Sequence, residues 1–209
     1  MLRAFQILCV LATLIIGAGC ANPINARTAD RYWAAGGDAE QRGDFVQARI
    51  YYHRMFRNAE MGFLGPTAEA YALYEWGRVS GYLGKTNDVE WAFPKVFDLI
   101  ERASGKADKL RPPALTEFAR YLHDTGQHAR AVTTFRSALQ ALESQQAGEQ
   151  DPVGFAEFLD AFAESLNAIG HSGDASILSK RSESLKQSHP GVAPKHKATS
   201  YPIRPISVH

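Results

Sequence analysis

Three places in this 209-residue chain hold residue types that could do chemistry. Gly170-His171-Ser172-Gly173 sets a histidine beside a serine between two glycines. A nucleophilic serine of the GxSxG kind sits on a sharp strand-to-helix turn that lifts its hydroxyl clear. This stretch is one residue short of that spacing and follows a helical pattern, so it reads as a turn. His123 and His128 are the second place. They flank Gly126 on different elements, and no HExxH or CxxC supplies further ligands for a metal. No glycine-rich loop follows a strand, and no alternating strand pattern is visible. The sequence predicts no catalytic constellation, no metal site and no cofactor, and hence a protein that is not an enzyme.

Cys20 is the third place. Arg3 supplies a positive charge, Ile7 to Ile16 is a run of apolar or small residues, and Gly17-Ala18-Gly19 leads into the cysteine. A basic start, a short apolar run and small residues describe a secretory signal, and the run is too short to span a bilayer. Small residues directly before a cysteine resemble the lipobox of bacterial lipoproteins. That resemblance implies cleavage after residue 19 and a lipid, palmitate included, on Cys20. An ordinary signal peptide cut after Cys20, Ala21 or Ala26 is the alternative. Cys9 lies inside the segment to be removed, so no internal disulfide is available to the mature chain. A lone thiol in an oxidising compartment is a liability, whereas a lipidated sulfur has nothing left to oxidise. By the same resemblance Ala21, where an aspartate would signal retention, implies an outer-membrane anchor facing the periplasm.

The charges set a further bound. The chain has 23 Lys and Arg against 22 Asp and Glu, so no global field favours nucleic acid.

Most of the remaining residues must be scaffold. From Ala114 to Leu142 the apolar positions fall on Leu115, Phe118, Ala119 and Leu122, then on Ala131, Val132, Phe135, Ala138, Leu139 and Leu142. Spacings of three and four give two helices, each with one face to bury. Gly126 lies where the first helix must stop and the backbone must adopt a positive φ. The pattern recurs: Gly43, Gly84, Gly126 and Gly170 mark four turns, 41 to 44 residues apart. The residues Leu115, Phe118, Ala119, Leu122, Gly126, Ala131, Phe135 and Ala138 resemble the signature of a tetratricopeptide repeat. The long period, with Leu64-Gly65-Pro66 before a new first helix, is similar to the kinesin-light-chain class of that family. The resemblance implies an all-α superhelical solenoid of about four helix pairs. In the fourth pair Ser179 and Ser182 replace the expected aromatic and small apolar residues, as suits a terminal cap. Pro94 falls inside a second helix, where a kink or restart is expected.

The predicted organisation is a signal over residues 1–19, a tether over 20–28, a helical repeat domain over 29–186, and a disordered, basic, proline-containing tail over 187–209. In the family resembled, certain first-helix positions face a concave groove. Here those positions include Trp33, Tyr71, Tyr74, Glu75, Arg78, Tyr82, Glu117, Arg120 and His123. Glu75 with Arg78 and Glu117 with Arg120 occupy equivalent places in neighbouring repeats. They read either as local pairs supporting their own helices or, with the aromatic residues, as a binding surface. The expected function is a membrane-anchored adaptor that holds a protein partner, an extended peptide or a helix, during assembly of an envelope complex such as an outer-membrane, pilus or secretion machine. An accessory recruiting cell-wall enzymes is the second reading, and an enzyme with a dispersed active site the third.

Overall fold

The computed structural model describes residues 21–195 and 199–202. The signal, Cys20 and the last seven residues lie outside them. Among the described residues there are nine α-helices and no strand. They are α1 (Pro23–Gln41), α2 (Phe45–Met61), α3 (Pro66–Tyr82), α4 (Thr86–Arg102), α5 (Arg111–Asp124), α6 (His128–Ser144), the short α7 (Ala147–Gln150), α8 (Pro152–Ala168) and α9 (Ser172–Ser188), with a single 3-10 turn at Asp108–Leu110. Helices α1/α2, α3/α4, α5/α6 and α8/α9 pack as antiparallel hairpins, and α2 meets α3 as α6 meets α8. First helices also touch one another, α3 with α5 and α5 with α8, which gives the stack a concave side.

The four period-setting glycines all take positive φ: 73° at Gly43, 65° at Gly84, 76° at Gly126 and 83° at Gly170. Each turn closes with the same two bonds. The glycine N–H donates to the carbonyl three residues back, as Gly126 to His123, and the next N–H donates five back, as Gln127 to Leu122. These are the paired bonds of a Schellman cap, which satisfy carbonyls that the ending helix leaves orphaned. A side chain at these positions would have to adopt the left-handed region, so the glycines set the corner of every hairpin.

Counting from each glycine shows why the hairpins close. Seven residues before it stand Gly36, Gly77, Ala119 and Ala163, all buried. Nine residues after it stand Tyr52, Phe93, Phe135 and Ser179. Small faces large: a Cβ at Gly36 would lie 2.5 Å from the Tyr52 ring, and one at Gly77 2.9 Å from Ala92 and 3.4 Å from Phe93. The fourth repeat departs as the sequence predicts. Ile177 on α9 is exposed, and the buried Ser182 satisfies its hydroxyl on the Ala156 carbonyl at 3.0 Å. Five residues after each glycine lies a second buried position, Ala48, Val89, Ala131 or Ala175. Ala131 is fully enclosed, so Ala131→Leu is expected to overpack the α5/α6 interface and cost about 1–3 kcal/mol. Unchanged thermal unfolding of that variant would refute the registration of the repeat.

Three boundaries differ from expectation. The tether is helical from Pro23 onward, because Asn22 caps α1 by accepting from the Ile24 N–H and Pro23 opens the helix without losing a bond. The Asn22 N–H also donates to the Gly62 carbonyl at 2.8 Å, which ties this end to the close of α2. Of the kink or restart expected at Pro94, the restart does not occur: α4 runs through it, with Pro94 on the exposed face while Phe93 is buried. At the other end Gln187 and Ser188 complete α9, and residues 199–202 return to the concave side.

The core falls into two bodies of buried side chains. One joins α1 to α4 through Tyr52, Phe56, Leu73, Trp76 and Ile100. The other joins α4 to α9 through Phe93, Phe118, Phe135, Leu159 and Phe162. Helix α4 belongs to both, with Val96 and Ile100 facing the first and Val89 and Phe93 the second.

Candidate functional site

Helices α1, α3, α5 and α8 line a concave groove of about 1120 Å³. Three of these helices begin at a proline, Pro23, Pro66 and Pro152, and α5 carries Pro112 as its second residue, so each first turn includes a residue with no N–H to satisfy. The groove brings together Tyr74, Glu75, Arg78, Tyr82, Glu117 and Arg120, six of the nine positions anticipated from sequence. The other three lie elsewhere. Trp33 is exposed outside the groove lining, and Tyr71 packs against the first core. His123 turns to the fourth repeat, its Nδ1 2.9 Å from the buried Ser165 hydroxyl and its Nε2 3.3 Å from Glu164. The rings of His123 and His128 are 5.6 Å apart, but no metal-holding cluster occurs among the described residues. Gly170-His171-Ser172-Gly173 is the fourth inter-helix turn, with Ser172 exposed as the first residue of α9.

The two Glu–Arg pairs do different work. Arg78 donates through Nη2 to Glu75 at 2.5 Å and to Glu40 of α1 at 2.7 Å, and through Nε to Glu75 at 3.1 Å. The Tyr52 hydroxyl donates to the same Glu40 at 2.6 Å. This network crosses from repeat one to repeat two, and its three charged side chains are less than one-fifth exposed. Burial pushes the Glu75 carboxyl above its ordinary range, with Arg78 opposing. The guanidinium also lies 5.6 Å from the centre of the Tyr82 ring, over its face.

One repeat further on, Glu117 is only 8% exposed and has a weaker hold on its own arginine, with Arg120 Nη1 at 3.4 Å. It accepts instead from two phenols, Tyr82 at 2.6 Å and Tyr201 at 3.0 Å. Burial first, then the Glu117 charge, holds both phenols well above their usual pKa, so both stay donors at neutral pH. Arg120 turns its other nitrogen to the Thr199 carbonyl at 3.0 Å. The equivalent pairs therefore divide their roles. The first locks two helices together, and the second holds a stretch of chain from the far end of the sequence.

Tyr201 was not anticipated, since a lone tyrosine in a proline-containing basic stretch gives no periodic signal. It is 3% exposed. Its ring lies 5.0 Å from that of Tyr82 and meets Tyr121 edge-on at 5.5 Å. Its N–H donates to Asp124 at 2.9 Å. The disorder expected of the tail therefore does not extend to residues 199–202, because this one aromatic ring can be buried while its polar atoms stay paired.

No protein-family model matches the chain, and no curated protein matches it. Among solved structures it is similar to BtubC (BKLC) from P. vanneervenii, with a TM-score of 0.67 and 13% identity, covering 86% of this chain and 71% of that one. The MamA protein is also similar, with a TM-score of 0.37 and 14% identity, covering 80% of this chain and 98% of that one. The chain has a tetratricopeptide-like repeat fold. At 13% identity the likeness to BtubC speaks for architecture, and the tetratricopeptide-like groove must be read from its own residues. Those residues offer aromatic faces, a guanidinium, carboxylates and, at Thr116, a buried hydroxyl without a hydrogen-bond partner among the described residues.

Proposed function

We propose that this tetratricopeptide-like domain is a scaffold, lipid-anchored at Cys20 on the periplasmic side of the outer membrane, that holds a protein partner in its concave groove during assembly of an envelope complex. The observation that carries the binding role is the groove itself. It crosses all four repeats, and on α5 beside it the chain's own Thr199 and Tyr201 are already held through a backbone carbonyl, a backbone N–H and one side chain. Such recognition suits a peptide partner, whose backbone supplies affinity and whose side chains supply specificity.

The anchoring role is supported at the N-terminal end. Ile24, Met61 and Phe63 are large apolar side chains, 65–74% exposed, and they cluster along the chain around the bonded pair Asn22 and Gly62, two residues from Cys20. Phe63 takes a positive φ of 51° there. Exposed apolar residues beside a lipidated end suit a surface resting on a bilayer. No helix among the described residues is long and apolar enough to cross a membrane.

The test is crosslinked capture from membranes. Wild type is expected to fractionate with membranes and to incorporate labelled palmitate, and Cys20→Ser to do neither. Glu157→Lys with Thr116→Val alters the groove wall without touching the buried Glu40–Arg78–Glu75 network. This pair is expected to lose the captured partner at unchanged helicity. Channel or assembly subunits in the wild-type capture support the adaptor reading, and wall enzymes would replace it with a recruiting role. Capture that survives the groove variant would move the site elsewhere on the solenoid.

A further inference from the structure

The place where Tyr201 sits is built to receive it. Gly81 is buried in α3, and a Cβ there would run into the Tyr201 ring and crowd Val89 at 3.3 Å. Tyr82 and Tyr121, from two successive repeats, form two walls around the ring. Glu117 at the floor accepts the phenol, Asp124 accepts the N–H of Tyr201, and Arg120 donates to the carbonyl two residues earlier. The phenol and N–H of Tyr201 and the carbonyl of Thr199 are thus each met by a side chain of α5. A segment merely lying on a surface would have no reason to fill a glycine notch or to place its phenol on a carboxylate that is 8% exposed.

Lys195 donates its N–H to Asp151 at the start of α8, and Thr199 and Tyr201 are bonded to side chains of α5. Arg120 and Thr199 line the same groove as Tyr74, Arg78 and Glu157. A partner peptide using the middle of the groove would meet Tyr201 and its neighbours already in place.

We propose that the Gly81–Tyr82–Glu117–Tyr121–Asp124 pocket is a tyrosine subsite whose resident occupant is this chain's own C-terminal segment, so that an extended peptide enters the groove by displacing Tyr201. The proposal rests on the groove being a peptide site, and not on the identity of any partner or on the lipid anchor. An intramolecular occupant lowers the apparent affinity for a competing peptide by the fraction of molecules in which the subsite is open.

A fluorescein-labelled synthetic peptide spanning residues 195–205 is the probe, titrated against full-length protein. Tyr201→Ala empties the subsite in the receptor, and is expected to bind the peptide at least ten-fold more tightly than wild type. The same peptide with alanine in place of its tyrosine should not bind, and phenylalanine there should bind more weakly, having no hydroxyl for Glu117. Adding Gly81→Val to the Tyr201→Ala receptor should abolish binding while circular dichroism shows the helices intact. Equal binding to wild type and Tyr201→Ala, or binding that ignores the peptide's tyrosine, overturns the proposal. Hydrogen exchange keeps the test decisive if a variant folds poorly. In wild type the Tyr201 amide should be protected by Asp124, and an unprotected amide equally overturns the proposal. Failure here, with partner capture through the groove retained, would leave the scaffold function standing; success here with no captured partner would do the reverse.

Discussion

Phe93→Ala is expected to be the most destabilising single truncation, costing about 3–5 kcal/mol. Phe93 is fully buried on α4 and stacks on Phe118 of α5 with ring centres 4.9 Å apart. Tyr74 of α3 meets it edge-on at 6.3 Å, and Phe97 lies at the same distance. Each repeat of a solenoid is held by its own core and by the interface with its neighbour, so a residue serving both carries a double loss. Phe93 closes the hairpin of repeat two against Gly77 and stacks on repeat three across the polar loop that separates α4 from α5. At about 2–4 °C per kcal/mol for a chain of this size, thermal unfolding should shift down by roughly 10 °C. A shift of a degree or two would mean that repeats two and three do not depend on this contact.

Arg78→Met should cost about 2–3 kcal/mol, somewhat below the loss typical of a fully buried pair because the network keeps some contact with water. The methionine fills the space of the arginine stem but leaves Glu40 and Glu75 facing each other without a cation. The pH dependence gives the signature. Burial already raises the Glu75 carboxyl above 4.5, and loss of Arg78 removes the charge that opposes this rise. A carboxyl whose folded pKa exceeds its unfolded value binds more protons in the folded state, so stability falls as pH rises through that interval. The deficit of the variant relative to wild type should therefore be largest at pH 7 and shrink toward pH 5. Arg57→Met is the control: it breaks an exposed pair with Glu60 and should cost no more than about 1 kcal/mol. Equal effects of the two substitutions would mean that the Arg78 network is as solvated as a surface pair.

These two residues also show what could be read before the fold was known. The glycine period and the small-against-large positions around it were legible because a helix hairpin imposes them locally. Gly77 and Phe93 are both predictable from their distance to Gly84. The pairing of Glu75 with Arg78 was visible too, since residues three apart on a helix must be neighbours. That Arg78 also reaches Glu40 was not visible, because the distance between successive first helices depends on how repeats stack. For the same reason spacing alone points Trp33, Tyr71 and His123 at a groove whose lining does not include them. Their place on the first helices was correct, but small rotations of each helix decide which of its residues face inward.

The ends of the chain were the hardest to read. Asn22 and Pro23 are an N-cap and a first-turn proline, and that local signal was present in the segment taken as a tether. Tyr201 carried no such signal. Its burial depends on Gly81, Tyr82, Tyr121 and Glu117, which lie about 80 to 120 residues earlier and share no pattern with it.

By itself the sequence determined the helices, their turns, the repeat and the concave surface in outline, since these follow from spacing within one hairpin. Only the tertiary structure decided which pair of charges ties repeats together, which pair reaches the tail, and that Tyr201 fills a pocket on α5 beside the groove. Those outcomes depend on contacts between residues far apart in the chain, where no local periodicity records who meets whom.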